Sequence, residues 1–129
     1  MTTTDFNILS STSIEGTSVV NTVGEDIGKV EDLMVDFDTG RVVYAVLSFG
    51  GFLGMGDKLF AIPLKAFALD TENERMILNV SKEKLENAPG FDKDNWPTGP
   101  NWDFADSVYR YYEYEPYSQT RDVYSPIMN

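Results

Sequence analysis

The 129 residues include no cysteine and no histidine. Without thiols there can be no disulfide, no thiolate nucleophile and no sulfur ligand for zinc. Without imidazole the usual proton shuttle near neutral pH is missing, and most hydrolytic mechanisms lose their base. The expectation is a chain that is not an enzyme and needs no cofactor, and the lack of cysteine fits a cytoplasmic location. Positive charge is scarce as well: 10 lysines and arginines stand against 21 acidic residues, a net charge of −11. The basic residues are scattered singly from Lys29 to Arg121, so no cluster could grip a phosphate backbone. Direct nucleic-acid binding and adsorption to an anionic membrane are both disfavoured, whereas a basic protein partner is favoured. Long apolar runs are absent too. The longest, over 42–47, falls far short of the roughly 20 residues that cross a bilayer. The first five residues carry neither the basic start nor the apolar centre of a signal peptide, so a soluble protein is expected.

What is present reads as β structure. At 42% apolar and 24% charged residues the composition is that of a globular protein, and the length suits one domain with an extension. Residues 1–16, rich in Ser and Thr, read as a flexible arm with a short strand near 6–9. Short strands then follow over 17–20, 28–37, 41–49, 58–62, 66–70 and 75–80, separated by turn residues at intervals of about ten, the rhythm of an all-β barrel or sandwich. Asp38-Thr39-Gly40 is a hairpin turn in which Gly40 takes the positive φ. The run over 42–47 is apolar on both faces, as a central strand would be. Pro63 ends the strand before it.

Ser81 caps a short helix over 82–87, and Asn101 or Asp103 caps a second one reaching about residue 114, with Trp102, Ala105, Val108 or Tyr109, and Tyr112 on one face. Pro116 ends that helix. The stretches 91–100 and 117–129 show no period. The division expected is therefore an arm (1–16), a barrel domain (17–87) and a C-terminal extension (88–129).

The order of these elements resembles the PRC-barrel family, which includes the cytoplasmic domain of the photosynthetic reaction-centre H subunit and the C-terminal domain of a ribosome maturation factor. The residues that carry the likeness begin with Val23-Gly24-Glu25-Asp26-Ile27-Gly28-Lys29-Val30 and Asp36-Phe37-Asp38-Thr39-Gly40-Arg41. They continue through Tyr44-Ala45-Val46-Leu47-Ser48-Phe49-Gly50-Gly51-Phe52-Leu53-Gly54-Met55-Gly56-Asp57-Lys58 and Ala61-Ile62-Pro63. Ala88-Pro89-Gly90-Phe91 and the residues after it look like the tail of stand-alone bacterial members. The resemblance implies a small, closed β-barrel, often a dimer. It implies no catalytic set, so no residue role is carried over.

Several motifs suggest chemistry and fail on their parts. Gly51 to Lys58 nearly forms a phosphate loop, but Asp57 replaces the required lysine and a strand follows instead of a helix. Asp36, Asp38 and Gly40 suggest a calcium loop, but the glycine is one place early and Leu47 stands where a bidentate Glu belongs. Ser81-Lys82-Glu83-Lys84 matches the serine–lysine pattern of penicillin-recognising enzymes, without the companion motifs. The acidic pairs Glu25/Asp26, Glu31/Asp32 and Glu72/Glu74 fall in turns and edges, where solvated charge is ordinary.

The aromatic tail is the functional expectation. Trp96, Trp102, Tyr109 and Tyr112, together with Phe52, Leu53 and Met55 at the tip of the glycine-rich loop, form the expected interaction surface. The tail either extends the barrel's own core or builds an interface, and a barrel of about 65 residues gains from either. The leading function is a non-enzymatic scaffold or interaction domain that forms a homodimer and binds an unidentified protein. The alternatives are a ribosome-associated factor binding a basic ribosomal protein, a small-ligand barrel, and a membrane-peripheral accessory subunit.

Overall fold

The computed structural model describes residues 8–49, 58–92, 94–97 and 101–121. Among the described residues seven strands form one sheet: β1 (Ser18–Val20), β2 (Asp26–Asp36), β3 (Arg41–Phe49), β4 (Lys58–Ile62), β5 (Phe67–Asp70), β6 (Arg75–Leu78) and β7 (Gly90–Asp92). Their order across the sheet is β5-β6-β1-β2-β3-β4-β7. All neighbours run antiparallel except β1 and β6, where Val19 lies beside Met76. Among the described residues the α-helices are α1 (Ser11–Ile14), α2 (Lys82–Glu86), α3 (Trp102–Tyr111) and α4 (Tyr117–Thr120).

The β2–β3 hairpin is the backbone of the molecule. Gly40 turns it with φ +76, and its N–H donates to the Asp36 carbonyl, as the Asp-Thr-Gly sequence predicts. Val43 to Leu47 are all buried, so both faces of β3 are covered. One of the covering elements is α3, where Phe104 meets Tyr44 edge-on at 5.8 Å. Two irregularities shape the hairpin. Between Val30 and Asp32 the register shifts on β2, and opposite Met34 and Val35 the extra residue is Val43 on β3. Such bulges bend a strand and increase its twist.

Gly28 is required by close approach. Its φ is +121, and a Cβ there would lie 2.2 Å from the Ser48 carbonyl oxygen across the hairpin. This accounts for the second glycine of the Gly24–Gly28 turn.

Helices α2 and α3 start where the sequence places caps. Ser81 accepts from the Lys84 N–H at the head of α2, and Asn101 accepts from the Phe104 N–H at the head of α3. Their ends differ from expectation. α3 stops at Tyr111 rather than near 114, because Glu113 takes φ +66 and turns the chain back, the Tyr114 N–H donating to the Tyr109 carbonyl. Pro116, read as a terminator, instead precedes the first residue of α4. Two elements lie in stretches read as irregular: β7, which pairs Phe91 with Leu59, and α4. α1 falls within the segment read as a flexible arm, and Gly16 beyond it donates its N–H to the Val30 carbonyl.

Candidate functional site

The tip of the β2–β3 hairpin and the C-terminal helices meet around one carboxylate. Asp36 ends β2 and is only 6% exposed. A buried carboxylate needs donors for its lone pairs, and here two of the donor residues arrive from more than eighty residues away. Arg121 reaches it with a two-pronged guanidinium, Nε to Oδ2 at 2.7 Å and Nη2 to Oδ1 at 3.1 Å. The Tyr117 hydroxyl donates to Oδ2 at 2.7 Å, and the Asp38 N–H donates to Oδ1 at 3.1 Å. Thr39 Oγ1 sits 3.2 Å from the same tyrosine hydroxyl. The Arg121 hydrogen bond comes first in holding the Asp36 carboxyl far below the usual carboxylate range, against the opposing effect of burial. A carboxylate ionised and paired in this way is a poor proton acceptor.

Aromatic rings frame the cluster. Trp102 stacks on Tyr117 with centroids 6.0 Å apart and planes at 16°. The Arg121 guanidinium lies over the Trp102 ring at 4.3 Å, and Arg41 lies over Tyr117 at 4.9 Å. Arg41 also donates to the Thr120 carbonyl at 2.9 Å. α4 has no side-chain cap of its own because Pro116 precedes it. Asp106 of α3 supplies one, accepting from the backbone N–H and the hydroxyl of Ser118. This explains a buried aspartate on the apolar face of α3.

Beside the cluster a groove of about 230 Å³ opens between the hairpin and the start of α3. Val35, Phe37, Val43, Tyr44, Pro97 and Trp102 form its apolar wall, with Asp36, Asp38 and Asn101 as its polar members. At its mouth Phe37 is 96% exposed and Val35 58% exposed.

The expected surface residues divide. Phe52, Leu53 and Met55 lie outside the described residues. Trp96 is half-buried against Phe91, with centroids 5.1 Å apart. Trp102 is half-buried and lines the groove. Tyr109 is buried, and its hydroxyl donates to the carbonyl of Val43, the extra residue of the hairpin bulge. Tyr112 is buried, and among the described residues its hydroxyl has no hydrogen-bond partner. Tyr109 and Tyr112 therefore pack on their own chain, and their side chains are not at its surface. Sequence reasoning missed Asp36, Phe37, Tyr117 and Arg121 as members of a site. The signal that was available is Phe37, a large apolar side chain placed between two aspartates in a turn.

This β sheet with its glycine-turned central hairpin is a small barrel-type domain followed by a helical extension. The chain belongs to the PRC-barrel domain family, whose model matches residues 6–85. No curated protein matched the chain. The matched stretch contains Asp36 and the hairpin, whereas Trp102, Tyr117 and Arg121 come from the extension beyond it. Among the described residues no helix is long and apolar enough to cross a membrane.

Proposed function

We propose that this chain is a non-enzymatic protein-interaction domain that docks a cationic polypeptide on the rim formed by the β2–β3 hairpin tip and the start of α3. The observation that carries the reading is Phe37, almost fully exposed beside Val35 at the mouth of an apolar groove. An aromatic side chain next to a preformed cleft is the usual anchor of a protein interface. The net charge of −11 favours a basic partner, and the absence of histidine and cysteine argues against catalysis. Self-association is the second reading, since the same exposed phenylalanine could be covered by a second copy.

A photoreactive amino acid placed at position 37, and in a control at Val23, which is exposed in the turn between β1 and β2, tests both. Protein adducts from position 37 and none from position 23 are expected. Adducts to a basic protein should decline as salt rises. Adducts of doubled mass that increase with salt would mark self-association, because two chains of like charge repel less when screened. Equal labelling at both positions, or none at either, would remove the rim as a docking surface.

A further inference from the structure

Resting on the docking role proposed for this rim, we infer that Asp36, Asp38 and Trp102 form an arginine-recognition subsite, that the partner inserts an arginine there, and that Arg121 is an intramolecular stand-in it displaces. The three groups meet the demands of a guanidinium. Asp36 takes two parallel hydrogen bonds, Asp38 offers a second carboxylate at 3.3 Å, and the Trp102 ring presents its face at 4.3 Å. An ammonium uses neither the fork nor the stacking plane in this way. The groove continues from the same three residues along Val35, Phe37 and Pro97, so the side chains flanking the incoming arginine would be apolar.

Arg121 is placed to leave. It follows the last residue of a four-residue helix, and that helix has anchors of its own. Tyr117 is fully buried, Ser118 is bound to Asp106, and the Thr120 carbonyl is held by Arg41. Withdrawal of one guanidinium therefore need not detach α4. A subsite already filled from within binds an outside arginine only in the fraction of molecules where it is vacant, so the internal arginine sets both the threshold and the specificity of docking.

The test uses the full chain carrying Trp96→Phe, in which Trp102 is the only tryptophan and its emission reports the cradle. The probe is an acetylated peptide with one central arginine flanked by leucines, compared with its lysine counterpart. Arg121→Ala should bind the arginine peptide at least about tenfold more tightly than the parent chain. The lysine peptide should gain less than about threefold. Adding Asp36→Asn to Arg121→Ala should abolish the gain. An unchanged affinity, or an equal gain for both peptides, would overturn the inference and make Arg121 a structural staple alone. Should Arg121→Ala fail to fold by circular dichroism, Arg121→Lys decides. It keeps a cation beside Asp36 but loses the fork, so it should show a smaller gain for the arginine peptide, and no gain overturns the inference. Cross-linking from position 37 that persists while neither variant gains affinity would leave the docking role standing and remove only the arginine subsite.

Discussion

At Gly28 the backbone leaves no room for a side chain. Its φ of +121 disfavours any L residue, and an added Cβ would fall on the Ser48 carbonyl oxygen. Gly28→Ala must therefore open the longest strand pair in the sheet as well as strain one residue. A loss of about 2 kcal/mol or more is expected, read as a lower urea midpoint. Gly40 also has positive φ, but nothing lies within 4 Å of its missing Cβ, so alanine there should cost only about 1 kcal/mol. Tyr112 is the opposite case, a side chain with one atom too many. Burial pushes its phenol pKa upward, and its hydroxyl has no partner among the described residues. Tyr112→Phe removes an unsatisfied polar group and should leave stability unchanged or raise it by about 1 kcal/mol in the same urea titration. The sequence places Tyr112 in line with the apolar face of α3, and it is the first residue beyond the end of that helix. What that face covers depends on the barrel it meets, and so an expected surface anchor is a core residue.

Among the elements, α4 and the hairpin behave as a latch whose strength depends on pH. Folding lowers the Asp36 pKa, so the carboxylate contributes stability that is complete above its unfolded value, near about 4, and is lost as pH falls from there toward the folded value. The melting temperature should drop more steeply for the parent chain than for Asp36→Asn between about pH 5 and pH 2. Asp70 is lowered too, by hydrogen bonds from Asn73 and Arg75, but it is held at an open hairpin turn and should add little. Tyr44 and Tyr109, pushed up to about 12 by burial, act at the other extreme. They keep their protons in the fold, so stability falls as pH rises past about 10, where the unfolded phenols ionise.

Much of this layer was legible. The serine and asparagine caps, the Asp-Thr-Gly turn and the apolar run of β3 each carry a local signal. Elements held from outside carry none. β7 is three residues that pair with β4, and α4 is capped by an aspartate from another helix. Neither spans enough residues to show a period.

For the molecule as a whole, the barrel could be read from strand spacing and glycine positions because those are properties of neighbouring residues. The candidate site could not, because Asp36 and Arg121 are brought together by the fold and nothing local marks them as partners. The aromatic tail reads from the sequence as an interaction surface, whereas the structure places much of it against its own barrel: Tyr109 caps the carbonyl left by a bulge, and Tyr117 fills the space between α3 and the hairpin. Among the described residues, the groove beside the hairpin tip keeps an apolar wall with Asp36, Asp38 and Asn101 at its polar side.

The bond between the Asp36 and Arg121 side chains joins positions 85 residues apart. During synthesis the whole sheet emerges from the ribosome well before Arg121 does. In that interval Asp36 has neither its arginine nor its tyrosine, and the Val43 carbonyl waits for Tyr109. The hairpin tip is therefore completed last, by side chains of the tail, and a chain stopped before Arg121 would be made with its central hairpin unfinished.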